Sequence, residues 1–157
     1  MTSVDKWMTT QVVTVNPNDS LGRARTLMSH GEVRQLPVVV GEQLVGMLSD
    51  RDIRDATPSV FESPPGEGAH ILNRIRVEDV MTYGAVSVPP WTPLTRAASI
   101  LQLHKVGALP VTFGRRLVGI ISHTDILRAV AAQAEPTELP AECYLPAEAD
   151  GEEPMSA

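Results

Sequence analysis

The chain has 157 residues, of which 43% are hydrophobic, 20% charged and 4% aromatic, with a formal net charge of −6. These values are typical of one soluble globular domain, or of two small halves that share a core, and no apolar run reaches the roughly 20 residues of a transmembrane helix. Because the N-terminus also lacks the basic and apolar blocks of a signal peptide, the sequence predicts a cytoplasmic protein.

The first half of the chain, residues 4–57, predicts a β-α-β-β-α unit. The predicted elements are a short strand at 12–15, a helix after Ser20, a hairpin of strands 36–40 and 44–48, and a helix from Ser49 to about Ala56. Ser20 is a favourable N-cap because it follows the turn residues NPND and precedes apolar residues at helical spacing. The hairpin is predicted from two apolar runs around the turn GEQ.

The second half, residues 77–131, repeats the first after a shift of 73 residues without a gap. Roughly 20 of about 53 paired positions are identical, which is the signature of two copies of one structural unit. The equivalent elements are predicted at 85–88, 94–104, 109–113, 117–121 and 123 to about 132. Residues 58–76 between the copies are rich in Pro and Gly in their middle, and they predict a linker on the surface.

Residues 134–157 predict an acidic, Pro-rich, disordered tail. This segment holds seven acidic residues and no basic one, whereas the remaining chain holds 12 acidic and 13 basic residues. Low hydrophobicity with charge of one sign is typical of disorder. The near-neutral remainder offers no basic stripe, so nucleic acid is not an expected partner. The single cysteine, Cys143, lies in this tail and is predicted to be inert.

A Ser-x-x-Asp pattern follows the last strand of each unit, as Ser49 to Asp52 and as Ser122 to Asp125. The spacing is typical of a capping box, in which the serine and the acid each bond a backbone N–H at the start of a helix. A preceding glycine permits close approach, a helix N-terminus attracts phosphate, and an acid there accepts hydrogen bonds from ribose. The pattern therefore favours a cap and a ligand site together.

The two copies of LPV, a Gly turn and LVG followed by S-x-x-D-I resemble a tandem cystathionine-β-synthase (CBS) domain pair, or Bateman module, over about residues 4–130. The segment LSDRDIRDATPSVFE is similar, more narrowly, to the acetoin-utilisation accessory protein branch. The resemblance implies an α/β (α+β) fold of two β-α-β-β-α repeats packed about a pseudo-twofold axis. It also implies two sheets with two clefts between the repeats, where CBS pairs bind adenine nucleotides.

The resemblance transfers a set of nucleotide-binding residues to each cleft. In both, the Ser-x-x-Asp residues are expected near phosphate and ribose, and residues of the other repeat are expected around the base. The first cleft is predicted to use Met47, Ser49, Arg51, Asp52, Thr82, Ala85, Val106, Gly107 and Ala108. The second is predicted to use Thr9, Val12, Val33, Arg34, Gln35, Ile120, Ser122, Thr124 and Asp125. No metal ligands and no catalytic residues are predicted.

Differences between the copies favour the first cleft. Arg51 can neutralise phosphate, whereas its equivalent is Thr124. The small residues Gly107–Ala108 leave room for a flat base, whereas the equivalent Arg34–Gln35 fill that space. We therefore expect the cleft at Asp52 to be the better nucleotide site.

The sequence favours a regulator over an enzyme. The four histidines are scattered, and there is no GxSxG elbow and no phosphate-binding P-loop. His30 and His104 fall at the ends of predicted helices, where a histidine complements the helix dipole. The expected function is a non-enzymatic sensor that needs no cofactor and binds AMP, ADP or ATP as its regulatory ligand.

Two alternatives remain open at this point. One is a protein-interaction module whose clefts are vestigial, and the other is a sensor of a different adenosyl ligand, such as S-adenosylmethionine or a dinucleotide. The resemblance also implies a homodimer formed through helices, for which 125–133 is an amphipathic interface candidate. An unknown regulated protein is left open as a partner, and neither a membrane nor nucleic acid is expected.

Overall fold

A computed structural model describes residues 2–57 and 67–133. The predicted tail at 134–157, with Cys143, and the first part of the predicted linker at 58–66 lie outside the described residues. The helices are α1 (Leu21–Gly31), α2 (Asp50–Ala56), α3 (Glu67–Arg74), α4 (Leu94–His104) and α5 (His123–Gln133). The strands are β1 (Gln35–Val40), β2 (Gln43–Ser49), β3 (Thr82–Tyr83), β4 (Ala108–Phe113) and β5 (Arg116–Ser122).

Each repeat contains the predicted antiparallel hairpin. Strand β1 pairs with β2 and strand β4 pairs with β5, with a bulge at the same place in both. The turns contain Gly41 and Gly114, whose φ angles of 61° and 62° are left-handed and favour glycine. The first residue of each hairpin lies opposite a serine, as Gln35 opposite Ser49 and Ala108 opposite Ser122.

The two hairpins form one sheet rather than the two sheets that the resemblance implies. The strand order is β1-β2-β5-β4, with β3 added beside β2. The hairpins meet at a single residue pair, Gln43 opposite Arg116. Two related hydrogen bonds flank this pair, since the Leu44 N–H donates to the Arg115 carbonyl at 3.0 Å and the Leu117 N–H donates to the Glu42 carbonyl at 3.0 Å. Their symmetry marks the pseudo-twofold relation between the repeats.

The strands predicted at 12–15 and 85–88 are wrong as strands. Only Val15 and Val88 join the sheet, as isolated parallel bridges to Val38 and Val111. The pairing stops after one residue because the proline turns NPND and PPWT begin at once, and proline has no N–H for a ladder.

The predicted helices α1 and α4 are confirmed. The Ser20 hydroxyl caps α1 by accepting a hydrogen bond from the Arg23 N–H at 3.1 Å. Both helices end in a residue with left-handed backbone, which is Glu32 after α1 (φ 51°) and Lys105 after α4 (φ 53°). These two residues occupy equivalent positions in the repeats. His30 and His104 lie in the last turns, as predicted.

The start of each repeat packs into the core of the other repeat. Val4 is fully buried among residues of the second repeat, and Val77 is fully buried among residues of the first. Equivalent hydrogen bonds hold both segments, from the Val4 N–H to the Thr92 carbonyl at 2.8 Å and from the Val77 N–H to the Asp19 carbonyl at 2.9 Å. The two structural halves therefore do not coincide with the two sequence repeats.

The glycines before the Ser-x-x-Asp patterns allow a segment of the other repeat to pack closely against β2 and β5. Gly46 on β2 lies opposite Tyr83 of β3, and Gly119 on β5 lies close to Met8 and Thr9. The close approach that these glycines are expected to permit is therefore made by a segment of the other repeat.

Replacing Gly46 by alanine is expected to lower the free energy of unfolding by about 1–3 kcal/mol, as overpacking does elsewhere. The added Cβ would lie 2.6 Å from the Thr82 carbonyl oxygen, a backbone atom that moves only with β3. Urea unfolding measures the change. Gly107→Ala is the control, because its Cβ meets the mobile end of the Gln35 side chain at 2.7 Å. Equal losses for both variants would contradict this reading.

The last part of the predicted linker is a helix and contributes to the core. Leu72 on α3 is 2% exposed and belongs to the first core, and Ile75 packs against it. The expectation that residues 58–76 lie on the surface is therefore wrong for Leu72. Within the described ranges, no helix is long and apolar enough to cross a membrane.

Candidate functional site

A cavity of about 530 Å³ lies where the two repeats meet. It is bounded by the end of β2, by α2, by β3 and the residues after it, and by the segment from the end of α4 to the start of β4. The lining includes all nine residues predicted for the first cleft, namely Met47, Ser49, Arg51, Asp52, Thr82, Ala85, Val106, Gly107 and Ala108. The fold therefore brings this predicted set together, while its role in binding stays a prediction.

The start of α2 holds Asp52 in a complete capping box. The Ser49 N–H donates to Oδ2 of Asp52 at 2.8 Å, and the Asp52 N–H donates to the Ser49 hydroxyl at 3.1 Å. The structural role predicted for this pair is thus confirmed. Among the described residues, no hydrogen bond or ion pair involves the other carboxylate oxygen of Asp52, which is able to accept one from a ligand.

The equivalent carboxylate at α5 has both oxygens occupied. Oδ2 of Asp125 accepts hydrogen bonds from the Ser122 N–H at 2.9 Å and the Ser122 hydroxyl at 3.0 Å. Oδ1 forms an ion pair with Nη2 of Arg128 at 3.1 Å. Asp125 is only 7% exposed. The two acids therefore share a cap but differ in their capacity to bind a ligand.

The second predicted set is only partly brought together. Thr9 pairs with Ile120 through two backbone hydrogen bonds of 2.9 and 3.0 Å, and Ser122 and Asp125 follow at the end of β5. Thr124 is exposed on α5, whereas Val12 and Val33 are half-buried. Val33 packs against the first core.

Arg34 and Gln35 were assigned to the second cleft, but they line the cavity at Asp52. The reason is the register of the first hairpin, which sets Gln35 opposite Ser49. The Asp50 N–H also donates to the Arg34 carbonyl at 2.8 Å, which holds Arg34 beside the start of α2. The pair thus lines the first cavity, and its predicted place around the base of the second cleft stays a prediction.

Sequence reasoning missed seven lining residues. They are Asp50, Arg54, Gly84, Val86, His104, Lys105 and Pro110. Arg54 could have been found, because it lies one turn after Arg51 on the same short helix. Lys105 could also have been found, because it directly precedes Val106, which was predicted for this cleft.

The described residues contain no group of three His, Cys, Asp or Glu side chains that could hold a metal ion. His123 lies beside Ser122 at the start of α5, and His123 is exposed. The chemistry that the cavity offers is recognition: a carboxylate oxygen, basic side chains and an apolar lining face one space.

Comparison with known proteins identifies both repeats. The family model described as "CBS domain" matches residues 4–59 and again residues 77–132. The CBS domain-containing protein YhcV of Bacillus subtilis is 36% identical over 126 residues, a region covering 80% of this chain and 84% of YhcV.

Solved structures show the same arrangement. A structure of CBSX2, a protein of Arabidopsis thaliana, in complex with AMP superposes with a TM-score of 0.73 at 26% identity, covering 86% of this chain and 100% of that one. AcuB from Vibrio cholerae, assigned to acetoin utilisation, superposes with a TM-score of 0.69 at 29% identity, covering 87% of this chain and 99% of that one. The fold is thus the mixed α+β fold of paired repeats that the sequence predicted.

Proposed function

The chain belongs to the CBS domain family, and from that premise we propose that it is a non-enzymatic regulatory module that binds an adenine nucleotide in the cavity at Asp52. The phosphates lie toward Ser49 and Arg51, the ribose hydroxyls donate to Asp52, and the base occupies the lining formed by Ala85 and Val106–Ala108. The clearest support is Asp52, which lines a cavity built from both repeats and has one carboxylate oxygen that makes no hydrogen bond or ion pair within residues 2–57 and 67–133.

Two further observations support an adenine nucleotide. The cavity volume of about 530 Å³ falls in the range of small-molecule sites, roughly 300–1,000 Å³. The lining combines apolar side chains for a flat base with Arg51 and other basic side chains for phosphate. CBSX2, which shares the fold over most of both chains, forms a complex with AMP.

Regulation follows from the position of the cavity between the repeats. Ser49 to Asp52 belong to the first repeat, whereas Val106 to Ala108 belong to the second, so a bound nucleotide links them. A ligand shifts a conformational equilibrium only through different affinities for the two states. A nucleotide that contacts both repeats binds more tightly when the repeats are packed together than when a motion separates them. It therefore shifts the equilibrium toward the packed state.

Calorimetric titration of the full chain with AMP, ADP and ATP tests the proposal. At least one of them is expected to bind with a one-to-one stoichiometry per chain, and absence of heat at millimolar nucleotide would refute it. Mass spectrometry of small molecules released from freshly purified protein is the complementary measurement, because it also detects S-adenosylmethionine or a dinucleotide.

The cleft at Asp125 has a different expected role. Both oxygens of Asp125 are already used by Ser122 and Arg128, which favours a vestigial cleft that only supports packing. A stoichiometry of two nucleotides per chain would contradict this.

We also propose a homodimer formed through α4 and α5. Their outer faces carry Leu103, Leu127 and Val130, which are 78%, 67% and 61% exposed, and such apolar faces are usually covered by a partner. Light scattering at micromolar concentration is expected to give twice the chain mass, and the double variant L127E/V130E is expected to be a monomer. A monomeric wild-type chain would contradict the dimer.

A further inference from the structure

The cavity at Asp52 has a surplus of basic side chains. Four basic residues line it, Arg34, Arg51, Arg54 and Lys105, against two acidic ones, Asp50 and Asp52. Asp50 lies 3.8 Å from Nη2 of Arg54, and one oxygen of Asp52 is used in the cap. The acidic residues therefore neutralise only part of the basic charge, and the remainder attracts an anion.

Two of these basic residues have no charged equivalent in the other repeat. Arg51 and Arg54 on α2 correspond to Thr124 and Leu127 on α5, neither of which is charged. The fold itself is common to both places, since α2 and α5 begin with the same cap. The basic residues are therefore not required to build the helix.

The charge of the residue that follows the long helix also differs between the two repeats. Lys105 follows α4 and Glu32 follows α1, with the same left-handed backbone at φ 53° and 51°. The same backbone position thus carries opposite charges in the two repeats. Lys105 comes from the second repeat and Arg51 from the first, so basic groups reach the cavity from both sides of the repeat interface.

We propose that this cavity selects a nucleoside di- or triphosphate over a nucleoside monophosphate, with Arg54 and Lys105 contacting the added phosphates. The inference rests on the proposed nucleotide site and specifies its ligand class. Each added phosphate brings negative charge and acceptor oxygens, which basic side chains of both repeats can meet. A sulfonium ligand such as S-adenosylmethionine brings positive charge instead, and the same surplus disfavours it.

The test is an affinity series by calorimetry on the full chain with adenosine, AMP, ADP and ATP, without added divalent cation. ATP is expected to bind about tenfold or more tightly than AMP, and its affinity is expected to fall more steeply than that of AMP as ionic strength rises. Inorganic triphosphate is expected to compete with ATP.

The decisive variants replace each basic residue by its equivalent in the other repeat, as K105E and R54L. Both are expected to weaken ATP binding by about tenfold while changing AMP binding by less than about threefold. Glu32 shows that glutamate is compatible with the left-handed backbone at this position, so K105E is expected to fold. K6E is the matched control, because Lys6 is exposed on the turn Val4–Lys6 and does not line the cavity.

Failure of this inference can be distinguished from failure of the proposed function. Equal affinities for AMP and ATP, or equal losses for both ligands in K105E and R54L, would overturn the selectivity while leaving a nucleotide site in place. No binding of any of the four ligands would overturn the site itself.

Discussion

Replacing Asp52 by alanine is expected to weaken adenine-nucleotide binding by about 10- to 100-fold. The variant removes the carboxylate oxygen that is proposed to accept from the ribose hydroxyls. A hydrogen bond to a charged group contributes roughly 1.5–3 kcal/mol, and about 1.4 kcal/mol corresponds to a factor of ten in affinity. Calorimetric titration of the wild type and of Asp52→Ala with the tightest-binding nucleotide measures the loss.

The control is Asp125→Ala, the equivalent substitution in the second repeat. Both acids accept a hydrogen bond from a serine N–H at a helix start, at 2.8 Å for Asp52 and 2.9 Å for Asp125. Both variants are therefore expected to lose roughly 0.5–2 kcal/mol of stability through the cap. Only Asp52→Ala is expected to lose binding, and an equal loss of affinity in Asp125→Ala would contradict the assignment of the site to Asp52.

Replacing Leu72 by alanine is expected to lower the free energy of unfolding by about 2–5 kcal/mol, the range for buried leucine. Leu72 is 2% exposed on α3 and lies in the first core with residues of α1 and the first hairpin. The substitution leaves a cavity that the surrounding core fills only in part. Urea unfolding followed by circular dichroism measures the change in midpoint at constant slope.

Val40→Ala is the comparison for that measurement. Val40 ends β1 and is 53% exposed, so its truncation is expected to change stability by no more than about 0.5 kcal/mol. If Leu72→Ala were no more destabilising than Val40→Ala, α3 would be a surface segment, as the sequence predicted for the whole stretch 58–76. The two outcomes differ by more than the error of the method.

Local elements were predictable because their signals lie within a few residues. Ser20 predicts the start of α1, because its hydroxyl caps the helix by accepting a hydrogen bond from the Arg23 N–H. The apolar runs around GEQ predict the first hairpin. The capping box of Ser49 and Asp52 likewise needs only its own spacing. The gap-free repeat then extended these predictions to the second half, since equivalent sequences adopt equivalent local structure.

The residues predicted for the first cleft could be grouped from the sequence because the resemblance supplies contacts that span the two repeats. All nine of its residues line one cavity. Arg34 and Gln35, predicted for the second cleft, also line this cavity, and that position depends on hairpin register and not on their type. The basic residue Lys105 was missed although Val106 beside it was predicted, because the resemblance supplies the residues around the base and not the side chains that flank them.

The sequence alone determined the repeat, the helices α1, α2, α4 and α5, the two hairpins and the caps at Asp52 and Asp125, whereas α3 and β3 were not predicted. Only the tertiary structure decided how the halves combine. Val4 of the first repeat packs into the core of the second, Val77 of the second packs into the core of the first, and the two hairpins pair at Gln43 and Arg116. The physical reason is the separation along the chain of the residues that interact. Caps and turns are satisfied by hydrogen bonds between near neighbours, whereas burial and net charge in a cavity depend on which distant segments pack together.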